Sequence, residues 1–220
     1  MPPQNRIILL GTVLLLLAVV NGALAEVSVG VKKGDWIEYQ VTTTGTPQEG
    51  HDVTWARMEI LDVKGTDIRV NVTTKARNGT YESGVMNLNP AKGQVGVWFI
   101  IPANLNVGQA FFDLSLDRNV TIEGSKQRTI AGATRTITHA TTPERIKSWD
   151  KVTGVFVESI DVLPNYTLNA ITDKTNLWSG QILGLDPPIF YTATLGAAVV
   201  LAAVILVVAG KKIGSKNRAR

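Results

Sequence analysis

The hydrophobic positions of this chain fall into three regimes. Ile7–Val20 is an apolar run of 14 residues, Ile189–Ala209 is a second of 21, and most of the stretch between them alternates. Alternation marks strands, whose successive side chains point to opposite faces. Trp36–Thr44 places Ile37, Tyr39 and Val41 on one face, and Val53–Val63 follows. The turn Lys64-Gly65-Thr66-Asp67 leads into Ile68–Thr74, where Ile68, Val70 and Val72 alternate with Arg69, Asn71 and Thr73. Asn78-Gly79 is a strong hairpin signal and opens Thr80–Leu88. After a turn at Asn89–Gly93, Val95–Ile101 reads as a short apolar strand stopped by Pro102. Gln109–Leu116, Asn119–Glu123, Arg128–Ile130, Ala133–Ala140, Glu144–Trp149, Val155–Val162 and Tyr166–Thr172 complete the expected strands, with Asp150–Gly154 as a hairpin loop. Turns spaced in this way predict an all-β fold, a single antiparallel domain over residues 26–178 built as a barrel, a half-barrel or a two-sheet sandwich. Within it, Pro102–Gly108 is the one stretch where a short helix would fit.

The two apolar runs set the expected topology. Arg6 precedes the first and Ala23-Leu24-Ala25 follows it, the pattern of a secretory signal over residues 1–25 that is cleaved before Glu26. The second run carries no charge and is long enough to cross a bilayer as a transmembrane helix over 189–210. Asp186-Pro187-Pro188 blocks helix from the outer side, and Phe190 and Tyr191 fall at interface depth. Lys211, Lys212, Lys216, Arg218 and Arg220 then form a basic stop-transfer tail over 211–220, which the positive-inside rule places in the cytoplasm. The expected protein is a single-pass type I membrane protein with its β domain extracytoplasmic, joined to the span by a linker over 179–188. Thr194, Ala198 and Ala202 form a small-residue stripe through which helices could pair and the chain oligomerise.

Charge changes its meaning once the ends are set aside. The chain has 22 Lys+Arg against 18 Asp+Glu, a net +4. Without Arg6 and the five cations of the tail, 16 basic residues face all 18 acidic ones, so the middle stands at −2. A basic nucleic-acid-binding protein is thereby excluded. There is no Cys, so the exported domain must hold by its core and not by disulfides. Four N-x-Ser/Thr sequons, at Asn71, Asn78, Asn119 and Asn165, make these residues N-glycosylation candidates.

Signals for chemistry are sparse. The chain has two His, His51 and His139, and with no Cys their spacing to acids builds no zinc set. His51 and Asp52 are adjacent, so on a strand they face opposite ways. There is no G-x-S-x-G elbow, no P-loop, no dinucleotide fingerprint and no calcium loop. No catalytic residue, metal ligand or cofactor is therefore expected. Trp98-Phe99 and Phe111-Phe112 are the densest aromatic pairs, and a strand would place one ring of each on either face.

Three stretches carry a resemblance. Val31–Tyr39 (VKKGDWIEY), Ala131–Thr136 (AGATRT) and Trp149–Glu158 (WDKVTGVFVE) together resemble archaeal membrane-anchored surface proteins of unassigned function. The last of them is also similar to a hairpin of the LolA/LolB-like lipoprotein-carrier fold, which implies a curved antiparallel half-barrel. Neither resemblance transfers a site residue. The resulting expectation is a non-catalytic, envelope-anchored surface or accessory domain that binds another protein or an envelope polymer. The alternative is a carrier of a lipid or small apolar ligand on a concave sheet, and the third reading is an envelope-polymer hydrolase.

Overall fold

The computed structural model describes residues 27–48, 50–180, 185 and 188–200. The expected signal over 1–25, the second part of the expected span and the cations Lys211, Lys212, Lys216, Arg218 and Arg220 lie outside these residues.

Among the described residues eleven strands form: β1 (Trp36–Gly45), β2 (Val53–Lys64), β3 (Asp67–Ala76), β4 (Tyr81–Leu88), β5 (Ala110–Asp113), β6 (Arg118–Thr121), β7 (Gly124–Ile130), β8 (Ala133–Thr142), β9 (Arg145–Asp150), β10 (Phe156–Leu163) and β11 (Tyr166–Thr175). Nine of them make one antiparallel sheet in the order β4-β3-β2-β1-β11-β10-β9-β8-β7, and β5 and β6 pair separately. Two meanders, β1–β4 and β7–β11, thus join where the first and last strands pair, Tyr39 facing Thr172 and Val41 facing Ala170. β4 and β7 are the two edges, so the sheet does not close into a barrel. Nor is it a two-sheet sandwich, because the second sheet is a single short hairpin. The half-barrel expectation is the one compatible with this unclosed order.

The edges dictate what fills the core. The chain must travel from β4 at one edge to β7 at the other, and residues 89–123 make that journey across one face, here called the inner face. Val95, Trp98, Ile100, Ile101, Phe111 and Ile122 from this crossover are buried with the inner side chains Ile37, Tyr39, Met58, Ile60, Ile68, Val70 and Trp149. Trp98 and Trp149 lie 5.8 Å apart, and Phe111 meets both edge-on.

The crossover also corrects the sequence reading. Val95–Ile101 is not a strand. Gly96, Val97 and Trp98 have φ of 56°, 54° and 69°, so three successive residues turn left-handed and only Ile100 bridges to Val155. With no strand there, Trp98 and Phe99 do not point to opposite faces, and both rings pack on the sheet. Phe111 and Phe112 do alternate, one buried and one exposed. Pro102–Gly108 forms no helix; a 3-10 turn forms instead at Pro90–Lys92, capped by the Asn89 side chain.

A helix runs over residues 188–200, its side chains exposed except the partly buried Phe190. Thr194 Oγ bonds back to the carbonyls of Phe190 and Tyr191, 3.0 Å each. Among the described residues no helix is long and apolar enough to cross a membrane.

Candidate functional site

The register divides the inner face into two ends. At one end lie the start of β1, the β2–β3 turn, the β7–β8 and β9–β10 turns and the exit of β11 toward residue 180. The crossover covers that end. At the opposite end lie Gly45, the β3–β4 turn and Pro164-Asn165, and there the cover stops. Val41, Ala56, Val72, Met86 and Ala170 remain half-buried on the inner face. Beside them lies a cavity of about 90 Å³ whose lining is mostly apolar, Tyr39, Met58, Val72, Phe99 and Phe156 among it, with Arg57 as its one charged residue. A pocket for a drug-sized ligand is ~300–1,000 Å³. The cavity alone is therefore too small for such a ligand; the cavity and the partly buried apolar strip beside it are here together called the trough.

Beyond the Phe99 and Phe156 rings that line the cavity lies a charged corner of the inner face. Arg145, Lys147 and Trp149 alternate along β9 and share the inner face with Ser159 and Asp161 of β10. Arg145 Nε donates to Asp161 Oδ1 at 2.5 Å, both partly buried, and its guanidinium stands 5.3 Å over the Trp98 ring. Lys147 is only 2% exposed. Its ammonium donates to the Val97 carbonyl at 2.7 Å and lies over the Phe156 and Phe99 rings at 4.9 and 5.4 Å. Burial lowers its pKa to about 8, with Asp161 opposing the shift and Arg145 adding to it. The Phe156 ring stacks on Tyr39 at 4.1 Å, and Tyr39 donates its hydroxyl to the Phe156 carbonyl at 2.9 Å. Burial pushes the Tyr39 phenol well above its ordinary pKa, so it stays protonated.

None of these charged residues stood out in the sequence, although the signal was present. In a strand containing Trp149, the residues of the same parity are Lys147 and Arg145, so a buried Trp commits two cations to its face.

The residues that the sequence singled out lie elsewhere. His51 Nδ1 is bonded to the Tyr166 hydroxyl, while Asp52 pairs with Arg77 at 3.0 Å, so adjacent His and Asp serve different partners. His139 projects from β8 on the outer face against Gly124, whose missing side chain makes room for the ring; its Nδ1 is buried without a hydrogen-bond partner. The two His do not meet. Among the described residues no three of His, Asp and Glu are placed to hold a metal.

Of the sequons, Asn78, Asn119 and Asn165 are exposed, whereas Asn71 is half-buried on the outer face of β3. Its carboxamide donates to Thr73 Oγ at 3.3 Å and accepts from Ser83 Oγ at 2.9 Å. Asn78 instead bonds its own turn, its Oδ1 accepting from the Thr80 N–H at 2.9 Å.

No family model and no curated protein matches the chain. Neither resemblance noted in the sequence therefore gains a family match. One similar solved structure is that of a siderocalin, Ex-FABP, described as functioning through dual ligand specificities. It is 10% identical, covers 64% of this chain and 70% of its own, and superposes with a TM-score of 0.24. At that score the likeness bears on neither ligand nor mechanism.

Proposed function

We propose that the chain is a membrane-tethered, non-catalytic binding domain that holds the apolar part of its ligand in the trough on the inner face. The observation that carries this reading is the uneven cover of that face. The crossover buries the residues of one end fully and leaves Val41, Ala56, Val72, Met86 and Ala170 only partly buried at the other, next to an apolar cavity. A sheet face that needs only to be buried would be covered along its whole length, since each exposed apolar Å² costs about 25 cal/mol. The reading joins two expectations, the tethered binding domain and the apolar-ligand carrier. His51, bonded to Tyr166, and His139, packed against Gly124 on the outer face, lie apart, which supports leaving chemistry out of it.

The test uses the full chain in its own membrane. A photoreactive benzophenone amino acid is placed at Ala170 on the inner face, or at Thr73 on the outer face as control. Illumination is expected to yield lipid-mass adducts at residue 170 and none at residue 73. Adducts at neither site, or the same adducts at both, overturn the reading.

A protein partner is favoured by one separate feature. β4 is a free sheet edge, with Tyr81 and Val85 more than half exposed, and such an edge can accept an added strand. Protein-mass cross-links from residue 85, with no lipid adduct at residue 170, would favour that alternative.

A further inference from the structure

We infer that the ligand of the trough is an amphiphile with a single anionic head, its apolar chain lying along Ala170, Val41 and Ala56 and its head reaching the Lys147–Arg145 corner of the inner face. The inference rests on the trough reading above and specifies the chemistry of the charged corner beyond it.

Three charges share this corner. Arg145 and Asp161 neutralise each other in a direct pair, leaving the Lys147 ammonium in excess. Among the described residues no carboxylate comes within ion-pair distance of Lys147; its recorded partners are one carbonyl oxygen and the faces of two rings. An ammonium has three donors, and the Val97 carbonyl occupies one. The direct partners of this buried cation are all neutral and the nearby Asp161 is already paired with Arg145, so its desolvation is only partly offset, and an anionic oxygen in contact is the group that offsets the rest.

Position argues the same way. Across the sheet, Lys147 faces Ser159, Ser159 faces Ala170, and Ala170 faces Val41. One inner row therefore runs from cation through a hydroxyl to apolar side chains, over three strand spacings of ~4.8 Å each. That is the polarity of an amphiphile laid across the strands. The element screening Lys147 is the Gly96–Trp98 turn, whose three residues are all left-handed and whose Val97 side chain is half exposed. Val97 and Trp98 hold a conformation that side chains disfavour. An anion replacing the Val97 carbonyl would let this turn relax.

The bland alternative is that Lys147 does nothing more than pin the Val97 turn. The two are separated by titrating the full chain, held in amphipol, with decanoate and with decanol by calorimetry near neutral pH. Decanoate is expected to bind about tenfold or more tighter than decanol, the worth of one charge-assisted hydrogen bond. Lys147→Met should bring decanoate down to the level of decanol, while Lys147→Arg keeps the preference. Lys126→Met, on β7, should change neither. Acetate at the same concentration should not compete. Equal binding of the two ligands by the unsubstituted chain overturns the inference and leaves the trough reading standing. Binding of neither ends both. A preference that survives Lys147→Met, or competition by acetate as strong as by decanoate, also overturns the assignment.

Discussion

At the scale of single residues, Lys147 makes the sharpest statement. An unfolded lysine titrates near 10.5, and burial lowers Lys147 to about 8 in the fold. Below pH 8 both states carry the proton, and the fold bears the full cost of the buried charge. Between about pH 8 and 10.5 the unfolded chain binds more protons than the folded one, so stability rises with pH, by at most ~1.4 kcal/mol per pH unit. Chemical unfolding of the chain and of Lys147→Met across that window should show the rise in the first relative to the second; parallel curves would mean that Lys147 is not held down. Residue geometry also ranks the sequons. Where the chain meets a glycosylation machinery after folding, Asn78 offers an exposed carboxamide in a turn, while the amide of Asn71 is tied to Thr73 and Ser83. Glycopeptide mass spectrometry should then find Asn78 occupied well above Asn71, and the reverse order would reject this account of access.

At the scale of elements, the WDKVTG hairpin between β9 and β10 shows what a recognisable motif can and cannot mean. Asp150 is fully buried and acts as a hub: its Oδ1 accepts from the Thr153 N–H and hydroxyl at 2.9 Å each, and its carboxylate takes the Arg135 fork at 2.8 and 3.1 Å. Arg135 in turn lies 4.9 Å under the Trp178 ring, whose N–H donates to Ile130 O at 3.0 Å. Gly154 has φ of 71°, and a side chain there would run into the Ile101 carbonyl of the crossover. The motif therefore fastens the turn, the crossover and the segment after β11. Asp150→Ala should cost about 3 kcal/mol in chemical unfolding, since it strands a partly buried Arg135 and two turn donors. Asp150→Asn, which keeps an acceptor for Thr153, should cost less; equal losses would place the whole effect in the ion pair. The strands of both meanders were legible in the sequence because alternation and turn residues are local signals, except the first half of β7, where the polar run Gly124–Gln127 reads as a turn. Val95–Ile101 was misread because a run of apolar residues looks the same whether it pairs with neighbours or fills a sheet face as a left-handed turn.

At the scale of the molecule, topology explains both the hidden site and its orientation. Nothing local in the sequence announces that the first strand pairs with the last. Yet that pairing puts β4 and β7 at opposite edges, forces residues 89–123 across the inner face, and decides which part of the face stays open. The trough residues Val41, Ala56, Val72 and Ala170 were readable as one face of their strands, but not as the uncovered part of it, since cover is a property of the crossover's path. The same topology sends the chain out of β11 at the covered end, beside the β2–β3 turn, toward the helix over 188–200. If the apolar run beginning at Ile189 anchors the chain, the covered end faces the bilayer and the trough opens away from it, toward ligand arriving from outside. The absence of Cys makes this measurable. A single label at Lys64→Cys, on the covered end, and another at Asn78→Cys, at the open end, can be compared in nanodiscs carrying headgroup-quencher lipids. Strong quenching is expected at residue 64 and little at residue 78. Equal quenching, or the opposite order, would reject the orientation and with it the idea that the trough receives its ligand from the far side of the domain.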